Sequence, residues 1–194
     1  MIEDMKKLIV ASGNRGKLKE IAEILRNRYD VVPMAEAGYT EDVEETGDTF
    51  YENALLKATA VSEALGCDAL ADDSGLCVDA LNGAPGVFSA RFAGEHGDDA
   101  ANRRLLLDRM EGVTDRRARF VSCVVLRKAD GTVVVGRGET AGTILLSEEG
   151  ANGFGYDSLF LSDDLGKSFG VASAKEKNAV SHRYRALCDL EKQL

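Results

Sequence analysis

A chain of 194 residues, 44% hydrophobic and 29% charged, is long enough to bury one good core or two lobes that share one. Its 33 acidic side chains against 24 basic ones leave a formal charge of −9, which excludes extended contact with nucleic-acid backbone or an anionic membrane surface. No apolar run approaches the ~18 residues of a membrane span, and Cys67, Cys77, Cys123 and Cys188 form no C-x-x-C pair, so zinc and a disulfide framework give way to a reducing cytoplasm.

The N-terminal stretch MIEDMKKL carries acids and lacks the apolar core of a signal peptide. Lys6–Ser12 then reads as a buried strand, and 17–28 as a helix with Leu18, Ile21, Ile24 and Leu25 on one face. A second short strand over 29–34 leads into the acidic, aperiodic loop EAGYTEDVEETGDT. Thr49 or Asp48 caps a helix striped by Ala54, Ala58, Val61 and Leu65 and stopped by Gly66. CDALADDSGLCVDAL predicts a strand, a polar break at Asp72–Gly75 and a second strand. NGAPGVFSARFAG reads as a long loop, and 98–110 as a helix. Two β-rich runs around Asp130-Gly131 are the clearest hairpin signal. A Gly-rich stretch, GANGFGYDSLF, precedes a last helix that starts near Ser173 and runs close to the end. Early alternation followed by a hairpin predicts an α/β fold with a mixed central β-sheet and flanking helices. With no linker, repeat or low-complexity tract, residues 1–194 read as a single domain.

Chemistry concentrates in a few stretches. LIVASGNRGKLKEI, Leu8 to Ile21, has the strand–turn–helix form of a phosphate site. It is not a P-loop, because Ala11 and Leu18 stand where that motif needs its first glycine and its magnesium-binding hydroxyl. Ser12 and Asn14 still offer side-chain donors, Lys17 can reach from the first turn, and the helix N-terminus adds partial positive charge. A plain turn with a surface lysine is the competing reading. In ADDSG, neighbouring strand residues point to opposite faces, so Asp72 and Asp73 serve different ends, one structural and one toward a ligand. Glu44 and Glu45 lie in a loop, and one carboxylate from each segment suits Mg²⁺; a simple turn with solvated glutamates would look alike. Near the C-terminus, KEKNAVSHRYRAL places Lys175 and Lys177 ahead of His182 and Arg183, with Asn178, Ser181 and His182 on one face of a continuous helix. Such a set suits a planar polar ring and phosphate oxygens, or else is a charged helix face. Phe154 and Tyr156 are rings for stacking or for a core, and Asp157 is an acceptor.

Taken in order, Ser12-x-Asn14-x-x-Lys17, Glu44-Glu45-Thr46-Gly47, Ala71-Asp72-Asp73-Ser74-Gly75, Gly83-Ala84-Pro85-Gly86 with Ser89-Ala90-Arg91, Phe154-Gly155-Tyr156-Asp157 and Ser181-His182-Arg183 resemble the inosine triphosphatase family from about Lys7 to Leu190. These are pyrophosphatases for non-standard purine nucleoside triphosphates. The resemblance implies a mixed sheet with two lobes around a substrate cleft, a homodimer, and Mg²⁺-dependent hydrolysis of ITP, dITP or XTP to monophosphate and pyrophosphate. It implies that Ser12, Gly13, Asn14, Arg15, Gly16 and Lys17 bind the triphosphate with Lys57 and Arg91, and that Ser74 contacts substrate. Asp73 becomes metal ligand and catalytic base, and Glu44 the second metal-associated carboxylate. Phe154, Gly155, Tyr156, Asp157, Lys177, His182 and Arg183 become the base pocket. Ser12 replaces the commoner threonine, and Ser158 stands where proline is frequent, which bears on the rigidity of that turn.

A triphosphate brings about four negative charges, which Mg²⁺, Lys17, Lys57 and Arg91 would neutralise while Asp73 directs water in line at the α-phosphorus. Donors to a purine O6, such as His182 or Arg183, would go unpaired against adenine, a mismatch worth ~10⁴-fold. A pyrimidine triphosphate pyrophosphatase and a non-enzymatic nucleotide sensor are the alternatives. A dehydrogenase fails for want of G-x-G-x-x-G after the first strand.

Overall fold

Parallel and antiparallel pairing follow from how far apart in sequence the strands lie. The computed structural model describes residues 5–194; residues 1–4, part of the N-terminal stretch read above, lie outside the described residues. Strand β1 (Lys6–Val10) pairs in parallel with β2 (Tyr29–Pro33) and with β3 (Ala69–Val78), Leu8 facing Val31 and Val10 facing Leu70. Parallel neighbours need long crossovers, and helices α1 (Arg15–Leu25) and α2 (Phe50–Leu65) supply them. Strands β4 (Arg117–Arg127) and β5 (Val133–Ile144) are joined through Asp130-Gly131, where Gly131 takes φ +89° and Asp130 Oδ1 accepts the Thr132 N–H at 2.8 Å. Short strands β6 (Phe160–Ser162) and β7 (Lys167–Ser168) add on antiparallel, giving one mixed sheet of order β2-β1-β3-β4-β5-β6-β7. Helices α3 (Asp99–Arg109), α4 (Ala174–Val180) and α5 (His182–Glu191) complete the elements.

Helix ends form where the sequence places its caps. Thr49 and Glu52 close a reciprocal capping box on α2, and Gly66 ends that helix in the left-handed region at φ +61°. The chain divides into two compact units, 1–73 with 123–138 and 183–194, and 74–122 with 139–182. The first unit buries Leu8, Ile21, Leu70 and Leu187 in one apolar cluster and Ala54, Ala58, Val61 and Ala71 in another. The second packs Phe120, Phe160 and Phe169 with Leu106 and Met110, the Phe120 and Phe160 ring centroids 4.6 Å apart.

The helix expected over 17–28 forms two to three residues earlier, at Arg15–Leu25, and two expectations about continuity differ. Asp72–Gly75 does not break a strand: β3 runs unbroken through both aspartates, because cationic side chains described below neutralise them and leave the backbone free to extend. The last helix is two. Ser181 adopts φ −66°, ψ 154° and ends α4 before α5 begins, a departure serine makes at low cost because its hydroxyl can bond nearby backbone. Asn178 and His182 therefore sit on different helices, and the shared face expected for Asn178, Ser181 and His182 does not form.

Close packing sets a strict limit at Gly136 on β5. A Cβ there would collide with the Ala186 carbonyl and lie 2.7 Å from Leu190 N, both on α5. Gly136→Ala is therefore expected to cost about 3 kcal/mol through overpacking. Thermal unfolding followed by circular dichroism should show a drop of about 6–10 °C; an unchanged midpoint would show that α5 yields without cost.

Candidate functional site

In the first unit the chain leaves β1 through Ser12 to Gly16 and enters α1. Ser12 Oγ accepts the Asn14 N–H at 3.1 Å, and Asn14 Oδ1 caps the helix by accepting the Lys17 N–H at 3.0 Å. Both side chains thus serve as local acceptors, while Gly13, Asn14 and Arg15 are exposed and Gly16 is half-buried. A Cβ at Gly13 would meet nothing within 4 Å, so the turn is open to an approaching group. Lys17 points back along the turn, its Nζ 3.1 Å from Asp72 Oδ2 and 3.4 Å from the Asp72 carbonyl oxygen.

The two aspartates of β3 use opposite faces, as strand alternation requires. Asp72 is fully buried and meets Lys17 and the Arg183 fork, whose Nη2 lies 3.1 Å from Asp72 Oδ2 while Nη1 bonds Glu20. Asp73 faces α2, where Lys57 Nζ lies 3.1 Å from Asp73 Oδ1, 2.7 Å from Glu45 Oε1 and 3.2 Å from the Asp72 carbonyl. Burial pushes the Asp73 carboxyl above its ordinary pKa, against the pull of Lys57 and Lys17. Burial likewise opposes the Lys57 charge, yet Asp73 and Glu45 outweigh it and hold the ammonium above its usual range. Asp73 Oδ2 is buried without a hydrogen-bond partner. A carboxylate oxygen kept out of water and unpaired is the donor a hard cation takes, so Asp73 suits one ligand position of Mg²⁺, which fills the rest from water and phosphate oxygens; no cluster of three or more acidic, histidine or cysteine side chains lies among the described residues. Glu44 is exposed in its loop, and its neighbour Glu45 supplies the carboxylate that meets Lys57.

A second cluster lies within the other unit. Asp157 Oδ2 accepts the Phe154 N–H at 2.9 Å and sits 2.5 Å from Lys177 Nζ, both side chains being buried. That ammonium also stands 4.9 Å from the Phe154 ring centroid, within cation–π range. Tyr156 is a core ring, its hydroxyl donating to the Ser89 carbonyl at 2.8 Å, and burial raises its pKa. Phe154 is therefore the half-buried aromatic of this loop. His182 is buried and stacks on Phe120, ring centroids 4.9 Å apart. Ser74 follows Asp73 on β3 and is half-buried, and Arg91 closes a short 3-10 turn with its guanidinium 5.2 Å from the Phe88 ring centroid.

Motif reading did not single out Glu20, which only its position three residues after Lys17 could have suggested. In sequence Glu44 and Glu45 are equivalent candidates, and the structure separates them by putting Glu45 on Lys57.

The chain is similar to known proteins along nearly its whole length. The sequence model of the Ham1 family matches residues 8–193. The dITP/XTP pyrophosphatase of Haemophilus influenzae is 48% identical over 193 residues, covering 97% of this chain and 98% of that protein. Among solved structures, the Ham1 protein of Staphylococcus aureus superposes with a TM-score of 0.86 at 42% identity, over 97% of each chain. A HAM1 protein from Coxiella burnetii gives a TM-score of 0.86 at 39% identity, over 97% of this chain and 98% of the other.

Proposed function

This chain belongs to the Ham1 family, and from that footing we propose that it is a pyrophosphatase that hydrolyses ITP, dITP and XTP to the monophosphate and pyrophosphate. The observation that carries the reading is Asp73: a buried carboxylate with one oxygen on Lys57 and the other unpartnered. A strongly placed but half-satisfied carboxylate is poised to take a proton from water, and the water's oxygen then attacks the α-phosphorus as pyrophosphate leaves.

Ser12 to Lys17 with Lys57 and Arg91 hold the triphosphate, using two ammoniums, a guanidinium and the N–H groups at the start of α1. Asp73 and Glu44 would hold Mg²⁺, which when bound neutralises charge on phosphate oxygens. Phe154, Gly155, Asp157, Lys177 and His182 recognise the purine, and Ser74 contacts substrate. Arg183, which the resemblance assigns to the base pocket, has its fork on Glu20 and Asp72. The single inosine triphosphatase-like domain works as a cytoplasmic homodimer; four unpaired cysteines suit a reducing compartment.

The test is a substrate panel of ITP, dITP, XTP, GTP, ATP, dUTP and TTP with Mg²⁺, products separated by ion exchange. Pyrophosphate release from the first three, abolished by chelation, is the expected result. Orthophosphate as product, or equal turnover of ATP and GTP, would overturn the assignment.

A further inference from the structure

Helix α3 grips the backbone of the loop that carries Phe154 and Asp157. Asp99 Oδ2 accepts the Gly155 N–H at 2.8 Å, and Arg103 Nη1 donates to the Gly155 carbonyl at 2.9 Å. The two side chains are i and i+4 on α3, so they leave the helix on one face and take both polar groups of a single residue. That residue needs holding. Gly155 has φ +59° and Gly153 φ +74°, so left-handed glycines flank Phe154 on both sides. A Cβ at Gly155 would meet nothing within 4 Å, so packing does not confine it. Hydrogen bonds from α3 supply the constraint that neither sterics nor the glycine backbone provides.

The grip extends past the loop. Arg103 Nε lies 3.0 Å from Glu148 Oε2, and the same oxygen accepts the Ser158 hydroxyl at 2.9 Å. A circuit of Gly155, Arg103, Glu148 and Ser158 therefore ties down both ends of the Tyr156-Asp157 step. At Ser158 the sequence departs from the proline of the motif it resembles, and here the hydroxyl tethers the turn that a ring would stiffen. Glu148 is 43% exposed, so this outer arm is screened by solvent and is the weaker of the two.

We propose that Asp99, Arg103, Glu148 and Ser158 are positioning residues for base recognition, holding the Phe154–Asp157 loop in the one geometry that accepts the purine. The proposal rests on the reading above that this loop meets the base. Asp99→Ala and Arg103→Ala are expected to raise KM for dITP about tenfold while kcat moves little. Inhibition by inorganic tripolyphosphate, which has no base, should stay within about twofold of wild type. Asp99→Asn keeps an acceptor oxygen for the Gly155 N–H and should restore KM, and Ser158→Ala should give a smaller rise of about threefold. Hydrogen–deuterium exchange of the 150–158 segment should quicken in the alanine variants with no change in α2. An unmoved KM in both alanine variants would overturn the proposal. So would a matching loss of tripolyphosphate inhibition, which marks a general structural role. A wild-type protein that releases no pyrophosphate from dITP would instead sink the functional reading and the specificity role with it, while faster exchange at Gly155 would still establish the clamp.

Discussion

Asp73→Asn is expected to reduce pyrophosphate release from dITP by about 10³-fold, within the range a general base supplies, while the protein melts at or above the wild-type temperature. The two effects have one cause. Asparagine keeps the shape of the side chain and an oxygen for Lys57, so the contact at 3.1 Å survives in altered form. What it loses is the capacity to take a proton. What it also loses is a charge that the fold does not favour: burial raises the Asp73 pKa above its unfolded value. A carboxyl with a raised folded-state pKa stabilises the fold fully at pH values below its unfolded pKa, near 3.9, and loses that contribution as pH rises through the folded pKa. The wild-type melting temperature should therefore fall relative to the variant as pH is raised from 4 to 7, and paired melting curves across that interval read the difference directly. A variant that retains a tenth of the activity would remove Asp73 as base. A gap that narrows with rising pH would contradict the burial argument, whatever the kinetics show.

Local chemistry was legible wherever partners lie close in sequence. The turn at Asp130-Gly131, the helix cap at Thr49 and the strand-to-helix passage through Ser12 and Lys17 each depend on residues a few positions apart, and each forms where expected. The ordered motifs carried the family for the same reason, being short and intact. Adjacent aspartates, by contrast, look like a strand breaker until their partners are known. Those partners are Lys57, Lys17 and Arg183, at sequence separations of 16, 55 and 111 residues, and no periodicity announces them. Glu20 is hidden in the same way: a carboxylate on an otherwise apolar helix face reads as solvated until Arg183 is placed against it. The break at Ser181 escapes notice because serine is tolerated inside helices as well as at their ends. Long-range charge pairing, rather than local propensity, is what pattern reading could not reach.

That pairing carries the second large effect. Arg183→Ala should destabilise the protein by about 3–5 kcal/mol, because it takes a buried guanidinium away from two buried carboxylates. Asp72 is 0% exposed and Glu20 8%, and the guanidinium between them is 1% exposed. Burial pulls the Arg183 pKa down, but Asp72 and Glu20 pull harder in the other direction, so the cation is held firmly in its charged form. Arg183 meets both Asp72 and Glu20, and Lys17 also meets Asp72; without Arg183, Asp72 keeps Lys17 while Glu20 has lost its guanidinium partner. The design of the control follows from that pairing. Glu20→Gln combined with Arg183→Met removes one charge of each sign and leaves Asp72 with Lys17, so the double variant should recover most of the stability lost by Arg183→Ala. Arg183→Lys should fall between, since one ammonium cannot span two carboxylates as a planar fork does. Urea unfolding of the four proteins measures all of this. A double variant no more stable than Arg183→Ala would mean that packing volume, not charge balance, is what Arg183 contributes. Because Asp72 and Asp73 are consecutive on β3, activity should be lost in Arg183→Ala along with the stability, as expected if the buried pair beneath the strand fixes where the base on its other face can stand.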